Sequence, residues 1–192
     1  MSDLLISNLV PKIPTAVASL AATFRSQDSL KLVWTIPALP IPMIDSKSAS
    51  LPAGSAPSCL ATTDMNSDGI TDIVVALSGS NQVQVFLNDG MGMLTGQTPI
   101  STGSQPEGVA VGDLNGDSQP DIVTANKASN NVSVILSKPG GGYFPTVPLS
   151  STGNGPVSIV ISDINQDGIK DIASLNSAGQ NTNVFLGLGL GL

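Results

Sequence analysis

Residues 64–72 read DMNSDGITD, which sets Asp64, Asn66, Asp68 and Asp72 at positions 1, 3, 5 and 9 of a short loop. Oxygen-bearing side chains at that spacing suit a hard divalent cation. Ca²⁺ takes about six to eight oxygen ligands in loose geometry, whereas Mg²⁺ prefers a tighter octahedron and keeps its waters. A loop turning around one ion aims the side chains of positions 1, 3, 5 and 9 inward together with the carbonyl of position 7. The first candidate set is therefore Asp64, Asn66, Asp68, the Ile70 carbonyl and Asp72. The pattern returns as DLNGDSQPD at 113–121, giving Asp113, Asn115, Asp117, the Gln119 carbonyl and Asp121. It returns again as DINQDGIKD at 163–171, giving Asp163, Asn165, Asp167, the Ile169 carbonyl and Asp171. About three Ca²⁺ ions, one per loop, are expected.

Position 6 is Gly69 and Gly168 in the outer copies, as expected if the turn needs positive φ, where a Cβ is costly. The middle copy has Ser118 there, and strain of order 1 kcal/mol predicts a weaker site. The EF-hand begins similarly but closes with a bidentate Glu at position 12. Here position 12 is Val75, Thr124 and Ser174, and each loop runs into a short apolar segment rather than a helix. A single copy could be an Asx-rich turn closing a hairpin. Three copies in register, each with three carboxylates that repel one another without a cation, favour the metal reading.

The elements that position these loops are legible in the period. The first Asp residues of the three loops are 49 and 50 residues apart, which signals a repeated supersecondary unit. The units run over 54–102, 103–152 and 153–192, and the third lacks its last ten or so residues. In the second unit, strands are expected near 108–112, 121–125, 131–137 and 143–149, with KPGGG turning between the last two. VQVFL, VSVIL and NVFLG fill the third-strand place in each copy and are expected to pack in the core. A hydrophobic content of 41% with 3% aromatic residues, 20 Gly and 14 Pro favours Val/Ile-rich strands joined by tight turns.

The net charge is −7, yet nine of the 14 acidic residues lie in the three loops. Three divalent cations would bring the whole chain to about −1, a balance that favours association over repulsion. Seven scattered Lys and Arg argue against nucleic acid. The longest apolar stretch, residues 32–44, is broken by three prolines, so no membrane span is expected. His is absent and Cys59 is the sole cysteine, which removes the usual bases and nucleophile pairs, so no enzyme is expected. Cys59 itself reads as a small buried hydrophobe just before a strand. The start, MSDLLISNLVPK, lacks a basic leader region.

The stretch GVAVGDLNGDSQPDIVTANKASNNVSVIL resembles the FG-GAP/VCBS repeat family, the β-propeller blades of integrin α-subunits and many bacterial extracellular proteins. The similarity covers about residues 54–192. The resemblance implies an all-β, propeller-type domain of four-stranded blades, Ca²⁺ between the first two strands of each, and an extracellular or cell-surface setting. Three blades do not close a ring, since propellers use about four to eight. Residues 1–53 carry apolar stretches, SLKLVWTIPAL at 29–39 among them, with the character of donor strands for an incomplete sheet. The expected partner is thus the protein itself, in a self-assembling fibre. The alternative is a fragment of a larger adhesive propeller with a glycan or protein ligand.

Overall fold

A computed structural model of the protein describes residues 49–52, 55–150 and 153–189, all within one compact unit spanning Lys47–Leu192. The expected donor segment, residues 1–53, lies outside the described residues apart from 49–52. Every regular element among the described residues is a strand. The first sheet holds β1 (Pro57–Thr63), β2 (Asp72–Leu77), β3 (Gln82–Asn88) and β4 (Leu94–Gly96) in that order, with β5 (Ile100–Ser101) also paired to β3. The second holds β6 (Pro106–Gly112), β7 (Asp121–Asn126), β8 (Asn131–Ile135) and β9 (Val147–Ser150). The third holds β10 (Pro156–Ser162), β11 (Asp171–Asn176) and β12 (Asn181–Phe185). All pairings are antiparallel, so the chain is an all-β series of three blade-like sheets.

The sheets are built alike because their sequences punctuate alike. The second strands open DIVVA, DIVTA and DIASL, β-branched runs that suit a buried pleated surface. Each first strand carries a bulge after its opening proline, at Pro57/Cys59, Pro106/Gly108 and Pro156/Ser158, which re-aims the strand at the same place in every sheet. The fourth strand of the second unit is shorter than expected. Ser137 bridges Tyr143 around the KPGGG turn, and ladder pairing resumes only at Val147. Cys59 lies within β1 rather than before it, half-buried beside the core.

Two hydrophobic layers fill the spaces between sheets. One face of the first sheet (Met65, Val74, Ala76, Val83 and Val85) meets Val109, Ile122 and Ile135 of the second. The equivalent face of the second (Val123, Ala125 and Val132) meets Ile159 and Ile172 of the third. The approach is tight at Gly108, where an added Cβ would sit 2.9 Å from the Val157 carbonyl oxygen. The third-strand expectation holds for VQVFL and VSVIL and in part for NVFLG, whose Phe185 packs against the core shared with the second sheet while its other face is open. Val184 is 48% exposed and Leu186 57%, because no described residue packs on that face of the third sheet.

Candidate metal centre

Each Asp-rich loop joins the first two strands of its sheet, β1 to β2, β6 to β7, and β10 to β11. Its first carboxylate folds onto the loop's own backbone. Asp64 accepts from the N–H groups of Asp68 (3.2 Å) and Gly69 (2.7 Å). Asp113 accepts from Gly116, Asp117 and Ser118, and Asp163 from Asp167 and Gly168. At position 3, Asn66 accepts the Asp68 N–H and donates its amide to the Asp68 carboxylate at 2.9 Å. Asn115 with Asp117, and Asn165 with Asp167, repeat this pair. The position 5 carboxylates also receive the N–H of position 7, from Ile70, Gln119 and Ile169. Positions 1, 3, 5 and 7 are therefore drawn together in all three loops.

Position 9 is set apart. Asp72, Asp121 and Asp171 open the second strands with no solvent exposure. One oxygen of each accepts the N–H of position 2, from Met65 (2.8 Å), Leu114 (2.9 Å) and Ile164 (2.9 Å). The other accepts an N–H sixteen residues on, from Asn88 (2.9 Å), Ser137 (2.9 Å) and Gly187 (2.8 Å) at or just past the end of the third strand. The Ser137 hydroxyl adds a further bond to Asp121. Each of these aspartates thus staples its loop to the third strand of the same sheet. Residue types gave no sign of it, because the partners are backbone N–H groups on an Asn, a Ser and a Gly.

With position 9 held beneath the loop, no three acidic or other ionisable metal-binding side chains among the described residues form a ready-made cation cluster. The donor chemistry nevertheless fits Ca²⁺. In the first loop Asp64, Asp68 and Asp72 each accept one bond per carboxylate oxygen. An ionised carboxylate has about four acceptor directions, so each oxygen keeps one for a further partner.

The electrostatics differ between loops. Desolvation pushes Asp64 up, but the N–H groups of Gly69, Asp68, Ser67 and Asn66 outweigh it and hold the carboxyl below its usual range. The Gly187 N–H is the main cause holding Asp171 down, helped by Ile164 and Asn165 against desolvation. For Asp121, desolvation outweighs the bonds from Leu114 and Ser137, and the nearby charge of Asp117 adds to it, so its acidity is weakened.

Positive φ at position 6 is present in every copy: +82° at Gly69, +67° at Ser118 and +88° at Gly168. Position 4 is also left-handed, at Ser67 (+62°), Gly116 (+80°) and Gln166 (+63°). Every loop therefore has two such residues and a single glycine to relieve them. Backbone strain does not set the middle loop apart, since its Gly116 offsets Ser118 while the outer loops carry the same strain at Ser67 and Gln166.

Between the first loop and the KPGGG turn lies a cleft of about 620 Å³, lined by Asn66, Gln119, Lys138 and Tyr143 among others. Burial, with the Asp72 charge behind it, pushes the Tyr143 hydroxyl up to about 12.

A family model for the FG-GAP-like repeat matches residues 64–124 and again 113–174. The two matches together cover more than half of the chain. No curated protein matches it.

Proposed function

The chain belongs to the FG-GAP-like repeat family, and on that premise we propose that it is a non-enzymatic, calcium-stabilised structural domain of the cell exterior that associates with copies of itself. The observation that supports the calcium reading is the threefold recurrence of one loop geometry, in which the side chains of positions 1, 3 and 5 are hydrogen-bonded to the loop backbone and to one another above a stapled carboxylate. Asp64, Asn66, Asp68, Ile70 and Asp72 would hold the first ion, and the matching residues of the other loops the second and third. The ion would neutralise carboxylates that otherwise repel, and lock the loop onto its sheet. Binding to the native state alone stabilises by about 2.7 kcal/mol per site at a hundredfold excess over Kd.

Self-association is supported by the third sheet. Its described strands number three where the second sheet has four, and a sheet one strand short accepts an added strand at its edge. In this reading SLKLVWTIPAL from a neighbouring copy fills the place that β9 fills in the second sheet. Removing residues 1–42 should then return the calcium-loaded protein to a monomer in light scattering. Full-length protein that is already monomeric at high concentration refutes strand donation.

The cleft beside Tyr143 supports the second reading, an adhesive domain with a glycan or protein ligand. Its volume falls in the range of about 300–1,000 Å³ typical of ligand pockets. A glycan array on calcium-loaded protein, repeated with Tyr143→Ala, tests it. Binding lost in the variant supports the cleft, and binding unchanged places the ligand elsewhere.

A further inference from the structure

The two internal junctions between sheets use one set of positions, and the third sheet presents that set again with no partner among the described residues. In the first sheet the donor face includes Ala61, Met65, Val74, Ala76 and Val85. In the second the equivalents are Ala110, Leu114, Val123, Ala125 and Val134, and these meet Ile159, Ile161, Ile172 and Phe185 of the next sheet. Adding one more period gives Val160, Ile164, Ala173, Leu175 and Val184. Val160 is 55% exposed, Leu175 49%, Val184 48% and Ile164 44%. Cross-strand register places Val160, Ala173 and Val184 in one row on this face. Half-exposed branched side chains grouped in this way mark an interaction surface rather than scattered surface residues.

The first sheet carries the complementary set. Counting back from Val109, Val111, Ile122 and Ile135 gives Leu60, Thr62, Ile73 and Phe86. Leu60 is 65% exposed, Thr62 is exposed and Ile73 is partly so. Phe86 is buried, with its ring over Gly96.

A polar latch accompanies each junction and follows the same count. The last residue of the turn before the third strand is left-handed, at Asn81 (+58°), Asn130 (+52°) and Gln180 (+51°). The Asn81 side chain accepts the Gln105 N–H of the next sheet at 2.8 Å, and Asn130 accepts the Gly155 N–H at 2.8 Å. Gln180 holds the third place in that count. The residue that would answer it, counting back from Gln105 and Gly155, is Ala56, which shares their left-handed backbone at +43°.

We infer that the exposed face of the third sheet docks the outer face of the first sheet of a second copy of this chain. Leu175 and Val184 meet Leu60 and Ile73, and Gln180 latches onto the Ala56 N–H. The contact reproduces the internal junction between different surfaces, so it is heterologous and continues head to tail. The inference rests on the reading of the protein as a self-associating subunit, but it uses sheet faces where that reading uses a strand edge, and it does not depend on residues 1–42.

The test is sedimentation velocity on the calcium-loaded full chain over a wide concentration range. Wild type should grow in mass with concentration. L175E with V184E blocks one face and L60E blocks the other. Each variant alone should remain monomeric, because burying an unpaired charge weakens association at least about tenfold. These side chains are exposed, and an unchanged circular dichroism spectrum checks the fold. A milder Leu175→Ser covers the case in which the glutamates disturb it. The two blocked variants mixed should form a one-to-one dimer and nothing larger, since each retains the face the other lacks. Face variants that associate like wild type, or a mixture that stays monomeric, overturn the proposal. If the face variants associate while deletion of 1–42 abolishes assembly, strand donation stands and face docking falls. The reverse pattern supports face docking and refutes strand donation. Wild type that is monomeric throughout refutes both.

Discussion

Replacing Asp121 with Ala removes the acceptor for the buried Ser137 N–H and for the half-buried Leu114 N–H, and strands the Ser137 hydroxyl as well. Each backbone donor left without a partner costs about 1–3 kcal/mol. Against this, the variant no longer buries a carboxylate whose desolvation already raises its pKa. The net loss should be about 3 kcal/mol. For a unit the size of Lys47–Leu192, roughly 2–4 °C accompanies each kcal/mol, so the melting temperature should fall by roughly 6–12 °C. The assay is thermal unfolding followed by circular dichroism in excess chelator, which isolates the staple from any metal. Asp117→Ala is the control. Asp117 is exposed and bonds only within its own loop, so in chelator its loss should cost no more than about 1 kcal/mol. In calcium the same variant should lose stabilisation at the middle site. Asp121→Ala melting within about 2 °C of wild type in chelator, or Asp117→Ala falling as far, would refute the stapling role that sets the ninth position apart from the fifth.

Gly69→Val should destabilise by about 1–2 kcal/mol through its backbone alone, because nothing lies within 4 Å of an added Cβ and the cost is that of a side chain in the left-handed region. Ser118→Gly and Gln166→Gly should each relieve a similar, smaller strain; a gain at Ser118 only would show that the loops are not equivalent. Gly103→Ala should lower the melting temperature by several degrees, since its Cβ would press to 2.6 Å from the Asn126 amide and collide with Ser129 and Asn131; an unchanged melting curve contradicts that packing. In chelator, stability should rise slightly as pH falls from 7 into the raised titration range of Asp121, because the native state there takes up a proton the unfolded chain does not. Asp89, held down by the Met93 and Met91 N–H groups, acts oppositely: its contribution is present above the usual carboxylate range and is lost as pH falls through its lowered value. A denaturant-midpoint profile that only falls from pH 7 to 5, with the Asp121→Ala variant showing the same fall, would contradict this assignment.

The blade pattern was legible because it repeats. One period fixed the loops, and β-branched runs after each loop fixed the second strands to within a residue at β7. The candidate oxygen donors were legible for the same reason, as was positive φ at Gly69 and Gly168. The left-handed fourth position was hidden, since Ser67 and Gln166 carry no conformational signature of it. Asp72, Asp121 and Asp171 looked like ordinary members of the loop, and only the fold brings a backbone N–H from sixteen residues away onto them. Asn126 and Asn176 were not singled out by their spacing. The fold places Asn126 on Asn131 and Ser133, and Asn176 on Asn181 and Asn183. The exposure of Val184 and Leu186 could not be read from residue type, because the equivalent face is core in two sheets and exposed in the third.

Calorimetric titration of the chelator-stripped full chain with Ca²⁺, followed by melting of the titrated sample, tests the central claim most directly. The account predicts about three equivalents bound and a melting temperature that climbs with free Ca²⁺ and returns when chelator is added. No binding heat together with a melting curve identical in calcium and in chelator would contradict it.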